Sequence, residues 1–564
     1  MHIGKLLRSP RELRFRLVQL VANAAMLALQ PRFRGNAGAP RDVRCVIPPV
    51  DPVEIERLAA EILAHRIPLL AGVVETGPEI EWRRDYPNGK TSGLAWFKRI
   101  PYLDFERVGD HKNIWELNRH QHLVVLARQG GDDCIREIER ELQSWLEQNP
   151  FLRGMNWASA LEVAFRALSW MWIDQLVGSR FESSFRERFW NGLYRHGLYL
   201  EHNLSTYFSP NTHLLGEAVA LHALGVVYPN FPARWKREGA RIVAGQLTAQ
   251  VQEDGSHFEQ STYYHVYALD MFRMHSQLGD DAGLYRDTLP KMTEYLAALM
   301  GRAGSLPFFG DDDGGRLFHP YGARDEFGRG ALAAGGSRLF SDSGIAVIVS
   351  EPRPPGSGLY ILADVGPFGA GGAGHSHSDT LSFTMRLGDQ EILIDPGTFT
   401  YVADPKWRDW FRGSSAHNTI RINGLDQADL AGPFRWENKP AVRVREWSAT
   451  NDRVVLDAEC SYRGFTHRRR WLLEPDHLLI EDDVSGPPGE HVIERFWHCG
   501  KIPEQLSDRN FRVGNVVLAL DSNSEPALGA AWRSRTFGEK CENPMIHESW
   551  RTTLPNRTTA KFLL

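Results

Sequence analysis

The sequence predicts two kinds of domain in series, an α-helical domain followed by an all-β domain. Between Val53 and about Met300, apolar residues recur with the spacing of amphipathic helices. After Gly335 the chain changes to short alternating runs separated by Gly, Pro, Asp and Asn, which is the pattern of an antiparallel β-sandwich. A chain of 564 residues is also too long for one ordinary domain.

The N-terminal fifty residues are predicted to be a basic leader and connector. Lys5, Arg8 and further arginines precede a moderately apolar run, Leu17–Leu29. This pattern fits either a signal peptide or a basic amphipathic helix, and the sequence leaves the choice open. No other segment approaches a transmembrane span, so no integral membrane segment is predicted. The predicted domains are 1–50, 51–335 and 336–564.

Residues 51–335 are predicted to form many consecutive helices with short connections. Such a series predicts helix pairs arranged in layers or in a ring, and the lack of a sequence repeat disfavours a regular solenoid. The predicted helices are Glu54–His65, Asn113–Arg128, Ile135–Gln148, Ala158–Gly178, Ser184–Leu200, Leu214–Leu224, Trp235–Gln252, Thr262–Leu278 and Arg286–Met300.

Residues 336–564 are predicted to form short antiparallel strands. The predicted strands are Gly344–Ser350, Leu359–Val365, Thr380–Leu387, Glu391–Asp395, Asn418–Ile422, Val442–Glu446, Arg453–Ala458, Arg468–Leu473, His477–Glu481, Val492–Trp497, Val516–Leu520 and Ala530–Thr536.

Composition narrows the classes of partner. A net charge of −5 gives no reason to expect nucleic acid. The 17 Trp, 15 Tyr and 28 Phe would suit the stacking of sugar rings. The five cysteines are scattered and lack CxxC spacing, so they indicate neither a disulfide framework nor a cysteine metal site.

The stretch Gly374–Phe383 carries two histidines, His375 and His377, behind a glycine-rich run. Residues two apart in a strand point the same way, so both imidazoles could face one pocket. A flexible loop with two imidazoles at the edge of a sheet is typical of a working site. By itself the pattern is equally compatible with two exposed loop histidines.

Polar residues also lie within the predicted helices. Asn156-Trp157 precedes a helix that carries Glu162 and Arg166, and the stretch from Asp110 to His120 places Glu116 and His120 on one face. Ion pairs on a helix surface would explain these spacings equally well.

Two later segments combine imidazole, hydroxyl and acidic groups. In the first, Asn211 or Thr212 could cap a helix on which His213 and Glu217 share a face, although a lone histidine is more often structural. In the second, Asp254–Tyr267 crowds such groups into a loop and the first turn of a helix. The acidic loop Gly310–Arg316 could bind a cation or sugar hydroxyls, and a solvated turn is the favoured interpretation.

A metal set is predicted in the β half. His377, Asp395 and His417 supply two nitrogens and one carboxylate, which is a donor set that zinc accepts.

Taken together, these motifs resemble the heparinase II/III-like polysaccharide lyases. The resemblance rests on Asp110–His120, Asn156-Trp157 with Glu162 and Arg166, Asn211-Thr212-His213, Glu259–His265, Gly374–Phe383, Asp395–Tyr401 and Ser414–Thr419, in this order. It implies an incomplete (α/α) toroid followed by an antiparallel β-sandwich. It also implies cleavage of an anionic, uronic-acid-containing polysaccharide by β-elimination.

The resemblance further implies a role for each matching residue. Asn211 and His213 would neutralise the uronic carboxylate, Tyr264 would be the acid/base and His375 its partner base. The metal set would brace the β domain with zinc, without an organic cofactor. His375 is expected to point toward Tyr264, and His377 toward Asp395 and His417. The residues predicted to bind substrate are Asn156, Trp157, Arg166, Glu217, Glu259, Tyr263, Asp311 and Tyr401.

The sequence departs from the family pattern at Thr212, where an Asn is common, so the neutraliser is Asn211, His213 or both. Tyr263 and Tyr264 lie about 100° apart on a helix, so only one is expected to face the cleft, and Tyr264 is favoured.

Two alternative functions stay open. One is a glycoside hydrolase that uses Glu259 with Asp311 or Asp312, and the other is a non-catalytic exopolysaccharide-binding component. The function favours the periplasm or cell envelope over the cytoplasm, and the oligomeric state is left open.

Overall fold

The computed structural model describes residues 9–33, 38, 40–43, 51–279, 283–301, 304–317, 336–350, 358–521 and 525–564. Within these residues, most helices come first and the large antiparallel sheets second, which confirms the predicted fold class. The helices are α1 (Pro10–Leu29), α2 (Pro52–Leu63), α3 (Phe105–Val108), α4 (His111–Asn118), α5 (Gln121–Gln129), α6 (Asp132–Gln148), α7 (Ala160–Val177), α8 (Ser183–Asn203), α9 (Thr212–Val227), α10 (Ala233–Gln250), α11 (Thr262–Leu278), α12 (Thr288–Met300) and α13 (Pro405–Arg412).

The strands are mostly short and lie in the second half. They are β1 (Arg66–Leu69), β2 (Gly72–Glu75), β3 (Arg84–Asp85), β4 (Lys90–Thr91), β5 (Arg338–Phe340), β6 (Ile345–Val349), β7 (Leu359–Asp364), β8 (Phe383–Leu387), β9 (Gln390–Leu393), β10 (Ile420–Ile422), β11 (Asp429–Leu430), β12 (Trp436–Glu437), β13 (Ala441–Ala449), β14 (Val454–Tyr462), β15 (Phe465–Glu474), β16 (His477–Ser485), β17 (Glu490–His498), β18 (Glu504–Ser507), β19 (Asn510–Val513), β20 (Val516–Leu520), β21 (Glu525–Arg533), β22 (Cys541–Thr553) and β23 (Asn556–Leu563).

The chain forms two compact units. The first comprises Met1–Ala249, Asp270–Tyr285 and Gly315–Gly322, and the second comprises Gln250–Leu269, Arg286–Gly314 and Ala323–Leu564. The predicted boundary between residues 335 and 336 falls beside residues 318–335, which lie outside the described part of the chain, so this boundary stays a prediction.

The first unit is organised around α7, which contacts α5, α8 and α9. Every residue from Ala160 to Asp174 is buried, and a helix that is apolar on all sides belongs in a core. Gly197 of α8 lets the indole of Trp235 approach, because a Cβ there would lie 2.3 Å from the ring.

One predicted helix of the first unit is divided into two helices in the structure. The sequence predicts a continuous helix over Asn113–Arg128, but α4 ends at Asn118 and α5 begins at Gln121. His120 lies between them with φ 59°, which is a left-handed conformation that stops the α-helix. Its Nδ1 accepts a hydrogen bond from Trp170 Nε1 at 2.8 Å, so tertiary packing overrides the apolar period.

Three of the four sheets in the described part of the second unit share a core, and the fourth is the two-stranded sheet β11-β12. Their strand orders are β5-β6-β7-β8-β9, β10-β17-β22-β21 and β13-β14-β15-β16-β23-β20-β19-β18, and the paired strands run antiparallel. Phe383, Ile493 and Trp471, one from each sheet, lie in one buried cluster. Burial alternates along β15, as expected for a sheet with one face on the core.

The sequence missed several elements of the second unit. Strands β18, β19, β22 and β23 were not predicted, and neither was α13. Helix α13 nevertheless has clear start signals, because the Asp404 carboxylate accepts hydrogen bonds from the amides of Lys406 and Trp407, and Pro405 occupies the first turn.

Candidate active site

The loop that carries His375 and His377 is neither a strand nor flexible. The predicted strand Thr380–Leu387 is present as β8, but it begins only at Phe383, so the predicted start at Thr380 is wrong. The loop is buried and tied to its surroundings: Ser378 N donates to Arg412 O at 2.8 Å, and Trp436 Nε1 donates to Ser376 O at 2.8 Å. Both histidines therefore have fixed orientations.

The two histidines are joined by one carboxylate, that of Asp311. His375 Nδ1 lies 3.1 Å from Asp311 Oδ2, and His377 Nε2 lies 3.0 Å from Oδ1. Thr398 Oγ1 donates to Oδ1 at 3.3 Å. Asp311 is fully buried, and Asp312 and Asp313 are buried beside it, so the favoured interpretation of this loop as a solvated turn is wrong. The role of Asp311 in substrate binding stays a prediction.

Arg408 completes this cluster, and the sequence did not predict it. Its Nη2 donates to Asp311 Oδ2 at 2.8 Å and its Nη1 donates to Oδ1, which makes a bidentate pair. The Arg408 guanidinium and the hydrogen bonds from His375 and His377 hold the pKa of Asp311 well below its ordinary value, although burial acts in the opposite direction. We name Asp311, Arg408, His375 and His377 the Asp311 cluster.

Tyr264 packs directly on this cluster. Its ring is stacked on His375 with 3.7 Å between ring centroids and 19° between planes. The tyrosine is placed by the start of α11, where Ser261 Oγ accepts from the Tyr264 amide at 3.2 Å and donates to Asp311 O at 2.6 Å. The first turn of α11 thus sets both the tyrosine and the aspartate.

The environment of Tyr264 favours the neutral phenol. Its hydroxyl donates to Asp313 Oδ2 at 3.4 Å and lies 3.3 Å from the Tyr401 hydroxyl. Burial, followed by the negative charge of Asp313, raises the pKa of Tyr264 well above its ordinary value. The phenol therefore carries its proton at neutral pH and can donate it.

The other predicted residues near His375 have different neighbours. Tyr263 stacks on Tyr267 with 6.0 Å between ring centroids, so Tyr264 is the member of the pair that lies against His375. Glu259 Oε1 lies 3.6 Å from His375 Nε2, beyond hydrogen-bonding distance. The Tyr401 ring packs under the Arg408 guanidinium at 4.7 Å.

The described residues contain a group of side chains that could hold a metal ion, and this group differs from the predicted set in one residue. His377, Asp379 and His417 each offer a ligand atom, and these atoms lie within 4.8 Å of one another. The sequence predicted Asp395 as the carboxylate of this set. Asp395 Oδ2 instead lies 2.8 Å from His417 Nδ1, so Asp395 orients the histidine and Asp379 takes its place in the group.

The donor atoms of this group fit a cation. Among the described residues, no hydrogen bond reaches His377 Nδ1 or His417 Nε2, and both rings are buried. Their other nitrogens face Asp311 and Asp395, which leaves a lone pair on each orphaned nitrogen. Two imidazoles and one carboxylate are a common zinc donor set.

Three residues of the first unit that were predicted to bind substrate are part of a buried network. Asn156 Nδ2 donates to Asn149 Oδ1 at 2.8 Å, and Arg166 donates to Asn156 O at 2.8 Å and His196 Nε2 at 2.8 Å. The Arg166 guanidinium lies 5.4 Å from the Trp157 ring centroid. All three side chains are buried in this network, and their roles in substrate binding stay predictions.

Glu217 is also buried, and the protein itself occupies its carboxylate. Its two oxygens accept hydrogen bonds from the amide and the hydroxyl of Ser205, both at 2.6 Å. Burial raises the pKa of Glu217 to about 8. The role of Glu217 in substrate binding stays a prediction.

The predicted carboxylate neutralisers lie at the start of α9. Asn211 caps the helix, because its Oδ1 accepts from the His213 amide at 3.1 Å. Both side chains are half-buried. The Glu162 carboxylate, which pairs with Arg119 at 2.7 Å, lies within electrostatic reach of His213. The catalytic roles of Asn211 and His213 stay predictions.

Comparison with known proteins gives a match along most of the chain. The family model described as heparinase II/III N-terminus matches residues 50–314, and the model described as heparinase II/III-like, C-terminal, matches residues 333–562.

Two similar proteins are heparin-sulfate lyases by name. The chain is 22% identical to that of Bacteroides stercoris over 437 residues, which cover 67% of this chain and 63% of the relative. It therefore spans less than two thirds of that protein. It is 24% identical to that of Pedobacter heparinus, with 88% of this chain and 76% of the relative covered.

Solved structures agree with the fold. A crystal structure of heparinase III has a TM-score of 0.71 at 15% identity and covers 97% of this chain and 89% of its own. A mutant heparan sulfate lyase from Pedobacter heparinus has a TM-score of 0.58 at 20% identity, with coverages of 97% and 88%.

Proposed function

Because this chain belongs to the heparinase II/III family, we propose that it is a polysaccharide lyase that cleaves a uronic-acid-containing anionic polysaccharide by β-elimination. The observation that carries the proposal is the neutral Tyr264 phenol stacked on His375, whose Nδ1 faces Asp311. This arrangement places a proton donor beside an oriented imidazole.

His375 is the base in the proposed reaction. An Nδ1–H that donates to the Asp311 carboxylate leaves the lone pair on Nε2, an assignment made from the hydrogen-bond network. Nε2 removes the proton from C5 of the uronic acid. The electron pair of that C–H bond forms the C4=C5 double bond as the C4–O bond breaks.

Tyr264 is the acid in the same reaction. Its phenol gives its proton to the leaving oxygen, and the raised pKa keeps that proton in place until the oxygen becomes basic. One product fragment gains a hydroxyl at its new reducing end, and the other begins with an unsaturated uronate. No water is added. The proton held by His375 then restores the phenol, either directly or through solvent.

The negative charge that develops next to C5 requires donors at the uronic carboxylate. Asn211 and His213 are the proposed donors, on the strength of their match to the family motif.

We also propose that His377, Asp379 and His417 hold a zinc ion, with Asp395 and Asp311 orienting the imidazoles from behind. A bound cation would brace the loop that carries His375 and supply no step of the elimination. All three donors are buried, which supports a bracing role, and a fourth ligand would complete the tetrahedral coordination.

The rival hydrolase assignment loses its main pair of carboxylates. A hydrolase needs one carboxyl as an acid and another as a nucleophile or base. Asp311 is fully buried and ion-paired with Arg408, which holds its pKa well below the ordinary value, so its carboxyl is a poor acid. Glu259 with Asp312 is the remaining hydrolase pair.

The decisive experiment follows the ultraviolet absorbance of the conjugated double bond while the protein acts on a panel of uronate polymers. Heparan sulfate heads the panel because relatives are named for it, followed by chondroitin sulfate and alginate. Tyr264→Phe should lower kcat by about 10³-fold, since the phenolic proton is lost while the ring stack on His375 remains.

Tyr263→Phe is the matched control, because the neighbouring ring is equally buried and lies against Tyr267 instead of His375. It should retain nearly full activity. Polymer shortening without new absorbance would establish hydrolysis, and binding without any cleavage would establish a non-catalytic protein. Equal losses in both variants would remove Tyr264 from the mechanism.

A further inference from the structure

Helix α1 is amphipathic, but it turns polar residues toward the protein and large apolar residues away from it. Its polar residues Gln19 and Asn23 point toward the rest of the first unit: Asn23 exchanges hydrogen bonds with Asn203 at 2.8 and 2.9 Å, and Gln19 accepts from Lys98 at 3.1 Å. Its large apolar side chains point outward, where Leu17 is 61%, Val21 60% and Leu29 78% exposed.

The exposed residues form one continuous face. At about 100° per residue, they fall within about half of the helix circumference. The outward face consists of Arg11, Leu13, Arg14, Leu17, Val18, Leu20, Val21, Ala24, Ala25, Ala28 and Leu29. Apart from the two arginines this face is apolar, and a continuous exposed apolar patch marks an interaction surface.

The helix cannot bury this face by rolling. The Asn23–Asn203 pair is fully buried, and Phe15 packs edge-on against Tyr207 at 5.2 Å, so the inward side is specifically attached. A roll would break the buried amide pair and leave its polar groups without partners, which is costly. The orientation is therefore a stable property of the first unit.

The charge on the outward face is positive. Arg11 and Arg14 are exposed in the first turns, and Glu12, the acidic residue nearest to them, points away and pairs with Arg16 at 2.7 Å. The sequence places Lys5 and Arg8 directly before the helix. The protein as a whole carries −5, so this end of α1 is locally basic against an acidic background.

We propose that α1 lies flat on an anionic lipid bilayer, with Leu17 and Val21 among the acyl chains and Arg11 and Arg14 at the phosphates. An apolar face with basic residues and low mean hydropathy is the signature of an interfacial helix. Among the described residues no helix is long and apolar enough to span a membrane, which fits a helix that rests in the interface. The enzyme would then act beside a membrane surface.

The test is flotation of the full-length protein with lipid vesicles. Vesicles of phosphatidylcholine alone are compared with vesicles that contain about one third phosphatidylglycerol, and the wild-type protein should prefer the anionic vesicles about tenfold or more. Leu17→Glu with Val21→Glu should weaken binding by about 100-fold, because charged groups replace the inserted side chains. Arg11→Gln with Arg14→Gln should abolish the preference for anionic lipid.

Ile502→Glu with Leu528→Glu is the matched control, because both residues are exposed apolar side chains of the second unit, 87% and 49% exposed. This control should float like the wild type, and the α1 variants should keep the wild-type melting temperature. Absence of wild-type flotation, or equal flotation of the Leu17/Val21 variant, would overturn the proposal. A wild-type dimer that becomes monomeric in that variant, without vesicle binding, would assign the face to a second copy instead.

Discussion

Two buried aspartates of the second unit have the same kinds of partner, arginine and histidine, but their clusters have different roles. Asp311 and Asp482 are both fully buried, and each is bound by arginine and histidine. Arg469 donates to Asp482 at 2.6 and 3.1 Å, and His467 Nε2 lies 2.7 Å from Oδ1. In both clusters, charge and hydrogen bonds hold the pKa of the aspartate below its ordinary value.

The two clusters differ in what lies next to each histidine ring on the side away from its aspartate. His467 Nδ1 has no hydrogen-bond partner among the described residues, and its neighbours are strands of the sandwich. His375 lies against the Tyr264 ring, and the second nitrogen of His377 belongs to the metal-binding group. An Asp–Arg–His cluster is therefore a general way to bury charge, and the outward side of the imidazole decides whether it can take part in chemistry.

The largest expected effect separates the two histidines. His375→Ala should lower kcat by about 10³-fold or more, because the proposed base is removed, and it should also cost about 1–3 kcal/mol of stability, because a buried partner of Asp311 is lost. His467→Ala is the matched control: it should lower stability by about 1–3 kcal/mol as well, but with full activity per folded molecule. The measurements are steady-state kinetics and thermal unfolding. Similar activity losses in both variants would contradict the distinction.

The aspartates themselves give the next contrast. Asp482→Asn should destabilise the fold by about 3–5 kcal/mol, since it leaves buried arginine charge uncompensated. Asp311→Asn should cost similar stability and should also lower kcat by about 10²-fold, because His375 loses its orienting carboxylate. Denaturant unfolding and kinetics of the folded fraction measure both quantities. Unimpaired kcat in folded Asp311→Asn protein would make Asp311 purely structural.

The lowered pKa of Asp482 determines how the stability of the fold changes with pH. Its stabilising contribution is fully present above the unfolded pKa of about 3.9 and is lost as the pH falls toward the folded value. Asp482→Asn should therefore show weaker acid destabilisation than the wild type. An unchanged acid limb would contradict this account.

Glu217 tests the same logic with the opposite sign, because hydrogen bonds from Ser205 hold it without a cation. Its pKa is raised from 4.5 to about 8, so its proton stabilises the fold fully below pH 4.5 and this contribution is lost as the pH rises toward 8. The difference in unfolding free energy between Glu217→Gln and the wild type should therefore shift by a few kcal/mol in favour of the variant when the pH is raised from 5 to 8. Parallel stability curves for the two proteins would contradict the shift.

The sequence predicted the proposed reacting groups but not the groups that hold them. Tyr264, His375, His377 and His417 stand in short motifs that can be recognised locally, and the structure brings Tyr264 and His375 into contact. Arg408 lies 97 positions from Asp311, so no local period connects them. The Asp404-Pro405 start signal was sufficient to predict α13, although not the partner of Arg408.

The buried polar side chains of the first unit show a second limit of the sequence analysis. Arg166 and Glu217 lie on α7 and α9, whose other residues are apolar around most of the helix, and this is a sequence sign of burial that the helix spacing alone does not show. The partners that satisfy these groups, the Asn156 carbonyl for Arg166 and Ser205 for Glu217, come from other segments. The partners therefore depend on tertiary packing and cannot be predicted from one segment.

The smallest expected effect concerns Asp395, which the sequence took for a metal ligand and the structure places behind His417. If Asp395 only orients the imidazole, Asp395→Asn should lower zinc affinity by about 10–100-fold, whereas Asp379→Asn, at a ligand position, should lower it much further. Zinc titration by calorimetry and metal content after dialysis measure this difference. Asp429→Asn, an outlying aspartate paired with Arg463, is the control and should bind zinc as the wild type does. A larger loss from Asp395→Asn than from Asp379→Asn would restore Asp395 as the ligand.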